Sequence, residues 1–114
     1  MDKEQRIAAE FERIGKLFSK ADSSQWENAL PLLENAAFMK VTLEDLQQEI
    51  IRDGATEQYR NGETQYGVKQ SAALQSYNTT IKNYAAVIRT ISQMLPPAVE
   101  GENRLQAFMR QLEA

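Results

Sequence analysis

Charged side chains are the ones best placed to do chemistry in this chain. Glu44, Asp45 and Glu49 cluster on one stretch with helical patterning. A metal ion would need such carboxylates to converge, and acids on a charged helix face usually meet solvent instead. The chain has no histidine and no cysteine. That removes the ordinary zinc site, the nucleophilic triad, the imidazole base and any disulfide. Gly62 and Gly67 lack the spacing and the lysine-serine ending of a phosphate loop. The inventory points away from catalysis, with no cofactor, no metal and no small-molecule substrate expected.

The cations allow a second kind of chemistry. Arg6, Arg13 and Lys20 share a face of the first predicted helix, with Lys3 and Lys16 nearby. A basic strip of this type suits DNA phosphates. Its alternative is a solvated face, because Asp2, Glu4, Glu10 and Glu12 leave the segment near neutral. The net charge of -3 argues against non-specific binding of the whole surface to nucleic acid or anionic membrane.

The elements that position these groups read as helices. Hydrophobic residues make up 42% of the chain, low for a compact globule, and aromatics are sparse. The expectation is an all-α, elongated body forming one domain. A first helix spans 3–20, with Ile7, Phe11, Ile14 and Phe18 as its apolar line. Two longer stripes follow: Ala29, Leu32, Ala36, Met39, Leu43, Leu46, Ile50, and Leu74, Tyr77, Ile81, Tyr84, Ile88, Ile91, Leu95. Each alternates steps of three and four, the repeat of a left-handed coiled-coil seam. Folded back, Ile50 meets Leu74 and Ala29 meets Leu95, so the stripes predict a long antiparallel helical hairpin over 24–95. Leu30, Leu33, Ala37, Phe38 and Val41 lie off that seam and need cover from the first helix or a neighbouring copy.

Local signals set the boundaries. Ser24 and Glu27 have capping-box spacing. Pro31 either bends the second helix near Asn28 or starts it. The helix should end near Asp53 with Gly54 as a left-handed cap. Asn61-Gly62, between Glu57–Arg60 and Glu63–Tyr66, predicts a small β-ribbon at the hairpin tip. Ser71 can cap the third helix, which Pro96-Pro97 stops. The division expected is a helical oligomerisation domain over 1–97 and a tail helix over 98–114. In the tail, Leu105, Phe108, Met109 and Leu112 form an amphipathic set suited to docking on a partner or on its own domain.

The third helix has an unusual surface. Lys82 and Arg89 are its only charges, and its outer positions are small or weakly polar. A solvated helix normally carries more charge. The second helix is acidic, so a ring in which one copy's third helix meets the next copy's second helix would satisfy both. The candidate oligomer interface is Phe38, Val41, Tyr59, Asn61, Gly62, Tyr66, Thr79, Lys82, Ala86 and Arg89.

Two stretches carry a family resemblance: Glu34–Leu46, and Tyr59–Ala73 continuing through Tyr77–Tyr84. The pattern Tyr-x-Asn-Gly…Gln-Tyr-Gly-x-Lys-x-Ser resembles short phage terminase small subunits from phages and prophages of Gram-positive bacteria. The resemblance covers about residues 30–97. It implies a non-enzymatic ring component of a DNA-packaging motor in the host bacterial cytoplasm, which recognises double-stranded viral DNA and works with a terminase large subunit, for which the tail residues Leu105, Phe108, Met109 and Leu112 are the candidate docking set. Larger relatives carry an N-terminal helix-turn-helix domain, which the segment before Ala21 is too short to hold. A coiled-coil adaptor without a nucleic-acid role is the alternative. A secreted hairpin with Trp-x-Gly in its turn fits poorly, since Trp26 precedes the second helix and is followed by Glu27-Asn28. No stretch has the length of a membrane span or the apolar core of a signal peptide.

Overall fold

The computed structural model describes residues 1–60, 62, 65–96 and 109. These are mostly helical: α1 (Lys3–Gly15), α2 (Ser23–Asp53) and α3 (Ala72–Met94). A two-stranded antiparallel ribbon, β1 (Thr56–Arg60) and β2 (Tyr66–Gln70), joins α2 to α3. The molecule is elongated, at 65 × 29 × 24 Å with a radius of gyration of 18.4 Å. A compact chain of this length would have about 13 Å.

Aspartates start the first two helices. Asp2 Oδ1 accepts from Gln5 N at 2.8 Å, and Gln5 Oε1 accepts from Asp2 N at 3.0 Å. Asp22 and Gln25 repeat the arrangement at 2.8 and 3.0 Å. The box therefore lies two residues before the expected Ser24–Glu27 pair. A carboxylate satisfies the open N–H groups and also meets the positive end of the helix dipole, so Asp22 outcompetes the serine. Helix α2 runs unbroken through Pro31, which rules out a start at the proline. Trp26 and Ala29 are packed into the core on the turns before it, and that burial outweighs one missing hydrogen bond.

The first helix is shorter than its pattern. It ends at Gly15 and tightens into a 3-10 turn, Lys16–Phe18. Gly15 lies against the Trp26 indole, where an added Cβ would sit 3.4 Å from the ring. Phe11 meets the same indole edge-on, with ring centroids 6.1 Å apart. At the other end of α2, Gly54 has φ +88° and ψ 172° rather than the expected left-handed helical cap. Its N–H donates to Ile50 O at 2.7 Å, and the extended ψ feeds the chain directly into β1. Ser71 caps α3, its Oγ accepting from Leu74 N at 3.0 Å. Leu95 is extended, as a residue before proline should be.

The core joins all three helices at the end away from the ribbon. Ile14 and Phe18 pack with Ala29, Leu33, Ala36, Ala37, Ile91 and Leu95. Off-seam Leu33 and Ala37 are thus covered within the chain, α1 lying against α2. Among the described elements, helices α2 and α3 share the most extensive contact. Gln47 Nε2 donates to Tyr77 Oη at 3.1 Å nearer the ribbon, where the seam residues are only half-buried.

The ribbon register differs from a two-residue Asn-Gly turn. Arg60 pairs with Tyr66 and Tyr59 with Gly67, so five residues separate the strands. The second strand starts at Tyr66, not Glu63. Tyr59 explains the shift: its ring lies across Gly67, where any Cβ would fall 2.5 Å from ring carbon. Glycine therefore has to stand opposite this tyrosine. Gly62 keeps the positive φ expected of it, +88°, and Asn61 lies outside the described residues.

The capping geometry gives a direct test. Asp22→Ala should cost about 1 kcal/mol in urea unfolding, whereas Ser24→Ala should stay within about 0.5 kcal/mol of the parent.

Candidate assembly surfaces and charge clasp

The basic strip of α1 does not stand free. Arg6 Nη1 donates to Asp45 Oδ1 at 2.7 Å, and its Nη2 lies 3.6 Å from Glu44 Oε1. Lys3 Nζ is 3.7 Å from Asp45 and 5.4 Å from the centre of the Phe38 ring. Arg13 Nε donates to Glu10 Oε2 at 3.0 Å, and its Nη2 also engages Glu10. Lys3, Arg6, Glu10 and Arg13 step by three and four along α1, so they form one row. Part of that row clasps the acidic face of α2. Lys16 and Lys20 are exposed and make no ion pair among the described residues.

The clasp has an electrostatic signature. The Arg6 hydrogen bond holds the Asp45 carboxyl below the usual carboxylate range, and Lys3 adds to the effect. Arg6 is raised in turn, chiefly by its bond to Asp45. On α3, burial pushes the Tyr84 phenol up, with help from the Glu10 charge. Of the three acids considered as metal donors, Glu44 and Asp45 pair with cations of α1, and Glu49 does not. Among the described residues no group of three His, Cys, Asp or Glu side chains could hold a metal ion.

The proposed interface residues divide. Phe38 is 52% exposed on the outer side of α2. Val41 is only 2% exposed and belongs to the protomer's interior, so it is removed from the interface set. Helix periodicity explains this: Val41 follows Ala37 by one turn and turns inward with it, while Phe38 turns out. On α3, Thr79, Lys82, Ala86 and Arg89 are all exposed. In the tail, Met109 is exposed; Leu105, Phe108 and Leu112 lie outside the described residues.

The ribbon presents apolar side chains to solvent. Tyr66 is 69% and Val68 67% exposed, and Tyr59 is also exposed on the opposite face. Lys69 pairs with Glu57 across the strands at 3.4 Å and lies 6.0 Å from the Tyr59 ring centre. Arg60 lies 5.8 Å from the Tyr66 ring centre. The sheet has two strands among the described residues, so both outer edges carry open backbone groups. Val68 and Ile51, the latter 75% exposed, were absent from the sequence-based set. Ile51 had a signal: it adjoins seam residue Ile50, and consecutive helix residues cannot face the same partner.

Among the described residues, no helix is long and apolar enough to cross a membrane. No family model, curated protein or solved structure matches this chain.

The clasp predicts a pH dependence. A depressed Asp45 contributes stability that is present above the ordinary carboxylate pKa of about 3.9 and is lost as pH falls through its lower folded value. Asp45→Asn should lower the melting temperature at pH 7. The difference from the parent should shrink as pH falls below about 4, as followed by circular dichroism.

Proposed function

We propose that this chain is a non-enzymatic small subunit of a phage DNA-packaging terminase. It assembles into a ring-like homo-oligomer that contacts viral double-stranded DNA, regulates the large ATPase and nuclease subunit, or does both. In this reading α2 and α3 form a long, coiled-coil-like antiparallel hairpin that serves as the oligomerisation body, acting in the host bacterial cytoplasm. The resemblance carried by Tyr59–Ala73 supplies the family. The observation that carries assembly is the outer face of α3, exposed along its length with Lys82 and Arg89 as its only charges. The exposed Tyr66 and Val68 of the ribbon support it, because a lone two-stranded ribbon is marginally stable in water.

One observation favours the adaptor reading over direct DNA contact. Lys3, Arg6 and Arg13 already hold carboxylates within the protomer. Lys16 and Lys20 are then the N-terminal cations with open phosphate-binding capacity, and a ring would repeat them in a circle. Tethered copies raise the effective concentration of each further contact.

Light scattering should give a mass above a dimer at tens of micromolar; a monomer removes the assembly reading. At low salt the assembled protein should bind duplex DNA weakly and in proportion to its length. That binding should fall steeply as salt rises, because counterion release is lost. Lys16→Ala/Lys20→Ala should reduce it while leaving the mass unchanged. An intact oligomer with no binding at low salt would assign DNA contact to the large subunit and leave this chain an assembly ring.

A further inference from the structure

Two exposed seams in this molecule match each other in charge, spacing and bulk. On α3 the seam is Thr79, Lys82, Ala86 and Arg89, with steps of three, four and three. All four are exposed, on the side of α3 opposite Tyr84, Ile88 and Ile91. On α2 the seam is Glu27, Pro31, Glu34 and Phe38, with steps of four, three and four, again all exposed. The two cations are seven residues apart, and so are the two carboxylates. On a helix that spacing is about 10.5 Å and returns to nearly the same face. None of these four charges has an ion pair among the described residues.

We propose that the outer face of α3 in one copy docks antiparallel on the outer seam of α2 in the next copy, Lys82 on Glu34 and Arg89 on Glu27. This deepens the homo-oligomer reading above and rests on it; it does not depend on DNA contact. Once both ion pairs are set, the rest of the register follows. Ala86 falls opposite Pro31, and Thr79 opposite Phe38. Each bulky α2 residue thereby meets a small α3 residue. Phe38 in particular faces the shallow depression lined by Gln75, Ser76, Thr79 and Thr80. Glu34 also borders a groove formed with Glu4, Ile7, Ala8 and Phe11 of α1, which the docked helix would cover.

The contact is head-to-tail. Each copy offers a weakly charged face with two cations and a separate face with two carboxylates. Unlike surfaces on one molecule build rings where the rotation closes. Reversing both charges on one face places like charges opposite each other and opposes docking. Reversing both faces restores the attraction with its sign exchanged.

The experiment compares four proteins by native mass spectrometry and light scattering. They are the parent, Lys82→Glu/Arg89→Glu, Glu27→Lys/Glu34→Lys, and the variant with all four changes. Expected is a parent larger than a dimer and a monomer for each double variant, with the parent's helix content by circular dichroism because all four sites are exposed. The four-change variant should regain the parent mass, and an equimolar mixture of the two double variants should assemble where neither does alone. Double variants that keep the parent mass would overturn this docking and leave the assembly reading standing. A four-change variant and a mixture that both stay monomeric would overturn it too, since the side chains then do not face one another. A monomeric parent overturns both readings.

Discussion

Leu33 and Ala37 lie on one side of α2, Ala29 and Ala36 on another, and all four are buried. No single neighbouring helix can cover both sides. This makes α2 the spine of the molecule and requires two partners for it, α3 along the seam and α1 across the remaining apolar strip. Burying a Leu side chain is worth roughly 1.5–3 kcal/mol, several times an exposed ion pair at about 0–1 kcal/mol. The position of α1 is therefore set by Ile14 and Phe18 in the core. The charges of α1 then settle wherever that packing puts them.

Where it puts them bears on function. Ile7, Phe11 and Ile14 of α1, with Phe18 of the 3-10 turn after it, commit one face of this segment to the core. The row one residue ahead of that face, Lys3, Arg6, Glu10 and Arg13, is carried to the border with α2. Asp45 and Glu44 stand across that border. The same packing leaves the carboxylates on the other edge of α2, Glu27 and Glu34, without a cation from this chain among the described residues. Glu44 and Asp45 are thus neutralised, and Glu27 and Glu34 are open among the described residues. On α3 the cations stand on the side turned away from the core. Among the described residues these acids and cations stand on two separate faces and do not pair with one another.

The ribbon follows a local rule instead. Its register is chosen by one aromatic ring needing a glycine opposite it, Tyr59 over Gly67. The ribbon makes little contact with the helices. Its Tyr66 and Val68 stay about two-thirds exposed.

Much of this was legible in the residues. The three helices, the ribbon between the second and third, the caps at Ser71 and the stop at Pro96 follow from periodicity and from backbone chemistry that acts over a few residues. The cover over Leu33 and Ala37 was legible as a need, but its identity was not, because periodicity says which face is apolar and not which partner meets it. The same limit misplaced Val41 and hid the clasp. Lys3 and Arg6 are separated from Asp45 by 42 and 39 positions, and no local pattern links charges so far apart. The cap expected at Ser24 and the strand start expected at Glu63 lie instead at Asp22 and Tyr66. The first turned on which oxygen met the helix dipole, the second on which residue could lie under a ring. Both are contacts that exist once the chain is folded, so the folded structure placed boundaries that local patterns had put a few residues away.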